Sequence, residues 1–164
     1  MLFKKSEYFQ LEVKKKFKAI KNKIKSIDQN LGVVLIGGCA IPGALTKGDV
    51  DVQVRVSKSG FSETIKSFSH VFRKNNSKLW NDNFAIFADE ILFPNKIDIL
   101  VTIIGSRSDV HCKSQKLLLK DKELLKEYNK LKMNLMKGRT NEYEYKTKKA
   151  LFYDKLEVLM YKKQ

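Results

Sequence analysis

Between Leu31 and Val56 an apolar run, a glycine-rich turn and an alternating run follow one another, and that order limits what the chain can become. Leu31 to Ile36 reads as a buried strand, and Asp49 to Val56 as a second strand. Gly37 and Gly38 open the turn between them, which carries one proline, Pro42. Successive side chains on a strand point to opposite faces, so Asp49 and Asp51 share a face while Val50 and Val52 take the other. Two carboxylates side by side on an otherwise apolar element repel each other. A divalent cation between them removes the repulsion, and hard oxygen ligands suit Mg²⁺ or Mn²⁺. Gly37 and Gly38 let the backbone approach phosphates closely, and N–H groups at the start of the next helical turn can bind them.

The remaining composition fits that picture. A chain of 164 residues has the size of one domain with a normal core, so residues 1–164 are expected to form a single domain. Its 43% hydrophobic content argues for a globular chain. The longest apolar stretch, Gly32 to Leu45, is too short for a membrane span and is broken by glycines and a proline. Met1-Leu2-Phe3-Lys4-Lys5 has no apolar signal region behind it, and Cys39 and Cys112 do not make a disulfide framework. The expectation is a cytoplasmic protein with no membrane partner. His70 and His111 lie too far apart in the chain to suggest a zinc site. The net charge of +15 is concentrated in the flanks, because residues 31–110 hold nine Lys/Arg against eight Asp/Glu. Basic flanks favour phosphate-rich partners such as nucleotides or RNA. Nearly all the base is lysine, however, and biased genomic composition would write such flanks without any selection for binding.

Phe9, Val13, Phe17, Ile20, Ile24 and Ile27 make one stripe of an amphipathic helix over residues 6–28, and Lys14-Lys15-Lys16 reads as its solvated face. Phe61, Ile65, Phe68 and Phe72 predict a helix over 61–74 packed on the sheet. Phe84 to Ala88 and Ile97 to Ile104 read as a strand pair, with Ile91-Leu92-Phe93 either extending the first strand or lying in the loop, and Trp80 as core. From about residue 109 the pattern is helical and basic. Asp121 can cap a helix through Met136 that Gly138 stops, and Thr140 or Asn141 can cap a last helix. The fold class is α+β: a small mixed sheet flanked by helices, with a helical C-terminal part.

A third carboxylate would turn the acid pair into a site for phosphoryl chemistry. Asp98 interrupts a strand that otherwise wants burial, so something must compensate it; Asp89 and Glu90 are runners-up where a turn is expected. The alternative is an ordinary surface pair of Asp98 with Lys96. With Asp49, Asp51 and Asp98 as ligands, the chemistry is two-metal nucleotidyl transfer. Asp49 and Asp51 hold Mg²⁺ against a nucleoside triphosphate, and Asp98 helps to place the second ion near the attacking hydroxyl. Lys47, next to the acids in the turn, and Arg55, on the same strand parity, are candidate charge partners.

These residues also carry a resemblance. Two glycines, a short loop and Asp-apolar-Asp-apolar resemble the signature of the DNA polymerase β-like nucleotidyltransferase superfamily. Gly37-Gly38-Cys39-Ala40-Ile41-Pro42-Gly43 with Lys47 before the acidic strand is similar to the GrpB family, whose members read Gly-Ser-Thr-Ala-Val-Pro-Gly and then Lys. Glu123-Leu124, Glu127-Tyr128, Leu131-Lys132 and Leu135 resemble one family helix, and Tyr145, Lys149 and Phe152 its last. The resemblance implies the nucleotidyltransferase fold, a short mixed sheet with helices around it, but no established reaction. The acid set adds a nucleoside triphosphate as the expected substrate, with RNA or protein as a possible acceptor. This chain departs in having Gly38 for the family Ser, Ser114-Gln115-Lys116 where many members have Phe-Arg-Asp, and Asp98 where many carry His. Tyr145 and Lys149 lie one helical turn apart and could reach the nucleotide, or else anchor the helix and meet solvent. Cys39 reads as a packing residue. The competing function is a non-catalytic nucleotide- or RNA-binding module with the same fold.

Overall fold

The lysine-rich N-terminal segment folds because one stripe of it is apolar. The computed structural model describes residues 2–89 and 97–161, excluding the side chain of residue 161. A two-residue strand β1 (Lys4–Lys5) and a 3₁₀ turn lead into α1 (Gln10–Ile27), which buries Val13, Ile20 and Ile24. Lys16 departs from the solvated face expected of it: it is buried, with its ammonium paired to Glu12 one turn earlier. A lysine stem can be covered while its charge finds a partner at the end of the side chain.

Strand β2 (Gly32–Ile36), the two-residue β3 (Leu45–Thr46) and β4 (Val50–Val56) follow, then α2 (Phe61–Ser69). The helix stops five residues short of the expected 74, and Arg73–Asn75 instead form an edge strand, β5. Phe72 keeps its helix-like contact with Phe68, ring centroids 5.2 Å apart, although the helix has already ended. Apolar spacing alone therefore overran the boundary. Charged residues suit an exposed sheet edge, where they oppose pairing with another chain.

β6 (Phe84–Ala88) and β7 (Ile97–Ile103) are the expected strand pair, and they run antiparallel. Glu90, Ile91-Leu92-Phe93 and Lys96 lie outside the described residues. Trp80 packs half-buried against the core, its indole donating to the Asn75 carbonyl at 3.1 Å. The five-stranded mixed sheet runs β2-β4-β7-β6-β5, with β4 and β7 parallel and the other neighbours antiparallel. One face buries Val50, Val52, Val54, Ile99 and Val101 against α1 and α2. Each such aliphatic side chain contributes about 1.5–3 kcal/mol on leaving water. Asp89 belongs to this side, not to the acid pair: its buried carboxylate is bound by Lys23 of α1 at 2.5 Å.

Three helices cover the other face: α3 (His111–Lys120), α4 (Lys122–Met136) and α5 (Glu142–Tyr161). They build a second apolar cluster from Leu118, Leu124, Tyr128, Phe152 and Leu156, joined by Ile41 and Ala44 of the glycine turn. The Asp121 carboxylate accepts from the Glu123 and Leu124 N–H groups at 3.0 and 3.1 Å, and Gly138 at φ 65° ends α4. Asn141, not Thr140, caps α5, exchanging hydrogen bonds with Glu144 in a reciprocal box. Replacing Asp121 by Ala should cost about 1 kcal/mol in denaturant unfolding without changing the slope of the transition.

Candidate active site

Register brings Asp51 and Asp98 together. β4 and β7 run parallel with the two acids opposite each other, so both carboxylates stand on the face of the sheet that α3, α4 and α5 cover. Ile36 of β2 is the partner of Asp51 on its other side, and Ala88 of β6 that of Asp98. The Asp98 carboxylate accepts from the Asn75 amide at 2.8 Å. Asp49 precedes β4 and is exposed.

The turn is fitted around Asp51. Gly37 has φ +77°, and a Cβ added to it would lie 2.2 Å from Asp51 Oδ2. Only a glycine can place its backbone there. The turn is also pinned on several sides. Ser6 donates to the Ile41 carbonyl, Glu7 accepts from Gly43 N–H at 2.7 Å, and the Asn129 side chain bridges Leu45 N–H and the Gly43 carbonyl. Lys132 donates to the Leu45 carbonyl, with its ammonium 4.0 Å from the centre of the Tyr128 ring.

Electrostatics at this point are strained in one direction. Burial, and then the charges of Asp98 and Asp49 against the attraction of Lys149, push the Asp51 carboxyl up to about 6. Burial and the charge of Asp49 also raise Asp98, against the hydrogen bond from Asn75. Burial, with help from Lys149, brings Lys132 down to about 7. Two facing carboxylates held above their ordinary range form a hard-oxygen set short of positive charge. Among the described residues no three His, Cys, Asp or Glu side chains are close enough to hold an ion together. Mg²⁺ is commonly held by one or two carboxylates plus water and substrate phosphates, so the Asp51–Asp98 pair fits such an ion and leaves positions for phosphate.

Asp51 and Asp98 lie on the floor of a 570 Å³ cleft between the sheet and the C-terminal helices. Lys146, Lys149, Ala150 and Tyr153, one stripe of α5, line the opposite wall, and His111 and Gln115 of α3 close one side. Burial, with the charge of Lys149, keeps His111 below its usual pKa. Tyr145 is half-buried but does not line the cleft, and burial raises its phenol to about 12.

Among the described residues, Gly37, Asp51 and Asp98 form part of the cleft wall, while Gly38, Lys47, Asp49 and Arg55 stand outside it. Lys47 lies 5.0 Å from the centre of the Phe3 ring. Arg55 shares the face of Asp51 but is four residues along the strand, roughly 13 Å away at the usual rise. Its guanidinium is held by the buried Asp109. Asp109 also accepts from Gln53 at 3.1 Å and from Gly105 N–H at 3.0 Å. Burial raises its carboxyl, but the bond and charge of Arg55 and the Gly105 N–H together bring it below the ordinary range. Cys112 at the start of α3 donates to Gln53 Oε1 at 2.7 Å, so the network fixes that helix over the sheet. Cys39 contacts Thr46 Oγ1 at 3.2 Å, and burial pushes its thiol up, as suits a packing residue. Sequence reasoning missed His111, Gln115 and Lys132 as members of this region; the i, i+4 spacing of His111 and Gln115 was the available signal.

Comparison with known proteins bears on the fold. A family model described as GrpB protein matches residues 7–158. A UPF0157 protein of Vibrio cholerae serotype O1 is 24% identical over 157 residues, which are 95% of this chain and 81% of that one. The crystal structure of conserved protein GrpB from Enterococcus faecalis superposes with a TM-score of 0.69 at 16% identity, covering 94% of this chain and 93% of that one. The Cid1 poly(U) polymerase bound to MgGTP matches with a TM-score of 0.53 at 16% identity. That match covers 75% of this chain but only 41% of Cid1. The fold is therefore nucleotidyltransferase-like, a mixed sheet flanked by helices. Among the described residues no helix is long and apolar enough to cross a membrane.

Proposed function

The chain belongs to the GrpB family, and from that premise we propose that it is a Mg²⁺-dependent nucleotidyltransferase, moving a nucleoside monophosphate from a triphosphate to a hydroxyl of an acceptor. The observation that carries this reading is the pairing of Asp51 with Asp98 across β4 and β7, on the floor of a cleft whose far wall presents Lys146 and Lys149. Two acids facing two cations across an open space suit a ligand that brings metal on one side and phosphate on the other. The 570 Å³ volume suits a single nucleotide.

In this reading Asp51 and Asp98 would hold Mg²⁺ or Mn²⁺ together with water and substrate phosphates, and Asp49, just before β4, would act on them through its charge. When bound, the ion neutralises charge on the phosphates and on the leaving pyrophosphate. Lys146 and Lys149 orient the triphosphate from α5, and the acceptor hydroxyl donates a hydrogen bond to Asp98. Gly37 keeps the turn close to Asp51 without a side chain between them. Acceptors compatible with the basic helices are RNA and protein.

Incubation with each labelled nucleoside triphosphate and Mg²⁺ or Mn²⁺, with and without cell RNA and protein, should release pyrophosphate. The Asp49→Ala/Asp51→Ala double variant should abolish it. Release that survives this change rejects the mechanism; nucleotide binding without any release would favour the non-catalytic binding module.

A further inference from the structure

Gln115 has no part in the metal and phosphate contacts, yet it lines the same cleft. Its Oε1 is buried and has no hydrogen-bond donor among the described residues. An unpaired buried amide oxygen costs about 1–3 kcal/mol, a cost that a ligand presenting an N–H group would remove. One helical turn earlier, His111 lines the cleft beside it, and burial together with Lys149 favours its neutral form. The nearby walls are apolar: Ile86 and Leu100 rise from the sheet, Leu79 precedes β6, and Leu118 continues α3. The charged groups that suit phosphate and metal lie instead on the sheet floor and on α5. The cleft is thus divided into a charged side and an uncharged side whose polar atoms sit on one helical face.

We propose that the α3 side of the cleft is the nucleobase subsite and that Gln115 is its specificity-determining residue, accepting a hydrogen bond from an N–H on the base edge. This rests on the nucleotidyltransferase reading above and extends it to the base. The flat apolar walls receive the ring, the Gln115 amide reads its edge, and the triphosphate extends toward Asp51, Asp98 and Lys149. The buried network of Asp109, Gln53 and Cys112 fixes the first turn of α3 over the sheet, and with it the helix from which Gln115 reaches the cleft. A buried amide in this place discriminates, because a base without the matching donor leaves it unpaired.

Calorimetric titration of the full chain with Ca²⁺ in place of Mg²⁺ tests this directly. The probes are the four ribonucleoside triphosphates, purine riboside triphosphate, which has no N–H on its pairing edge, and inorganic tripolyphosphate. The preferred natural triphosphate should bind about tenfold more tightly than purine riboside triphosphate, the value of one well-made hydrogen bond. Gln115→Leu should bring the two within about twofold while leaving tripolyphosphate affinity unchanged, which also shows that the variant is folded. A base preference that survives Gln115→Leu overturns the proposal, as does equal binding of all five nucleotides. So does an equal loss for every probe, tripolyphosphate included, since that would mark Gln115 as structural. If no probe binds, tripolyphosphate among them, the nucleotide reading itself falls and takes the base subsite with it.

Discussion

Asp51→Asn should make the protein more stable while abolishing the pyrophosphate release proposed for it. The Asp51 carboxyl titrates near 3.8 when unfolded and near 6 when folded, chiefly because it is buried and then because acids surround it. Between those values the folded state holds more protons than the unfolded one. Stability is therefore greatest below the unfolded value and is lost as pH rises through about 6. Asparagine has no proton to lose. In the presence of a chelator the variant and the parent should unfold alike near pH 3, and the variant should be the more stable by between about 1 and 3 kcal/mol at pH 7. Urea unfolding across that range measures the difference. Equal stabilities at pH 7 would show that the acid is not held against a buried field. The same variant should lose pyrophosphate release, because a neutral amide cannot complete the metal set. Stability sacrificed for a charged site is a common arrangement in enzymes.

Gly37→Ala should have the opposite effect on the fold and the same effect on activity. The new Cβ would stand 2.2 Å from Asp51 Oδ2 and 3.2 Å from Asp51 Cβ, in a backbone conformation at φ +77° that side chains rarely adopt. Backbone strain of this kind costs about 1–3 kcal/mol before the collision is counted. Either the turn or the carboxylate must move, and a displacement of about 1 Å at a reacting centre can cost on the order of a hundredfold in rate. Expected results are a lower urea midpoint and a loss of turnover of at least that size. Combining Gly37→Ala with Asp51→Ala removes the atoms that collide, so the double variant should regain part of the lost stability, a coupling that a double-mutant cycle measures. Additive losses would mean that the turn and the acid do not constrain each other.

Local pattern made some of this legible and left other parts hidden. Alternation along Asp49 to Val56 fixed which residues face the sheet's two sides, and the glycines marked the turn. The helix caps Asp121 and Asn141 were readable because capping depends on a few adjacent residues. Strand parity gave Arg55 the correct face but not its distance from Asp51, and nothing near it in the chain announced Asp109 as its partner. An acid interrupting an apolar strand marked Asp98 as a partner of Asp51, but their direct opposition depends on register between distant strands, which sequence spacing does not encode. Lys132 was hidden within a basic run, where a buried lysine under a turn looks like any exposed one. The edge strand Arg73–Asn75 carried no alternation of apolar residues at all.

The apolar cluster between the sheet and α1 and α2 shares no residue with the one built by the C-terminal helices, and the cleft opens beside the second. Ile41 and Ala44 of the glycine turn belong to that second cluster, so turn and helices share one interior. Polar bonds fasten the helical layer at both ends: Asn129 and Lys132 hold the turn, and Cys112 and Asp109 hold Gln53 of the sheet. A ligand entering the cleft therefore meets walls already set in place, and little of its binding energy is spent on ordering them.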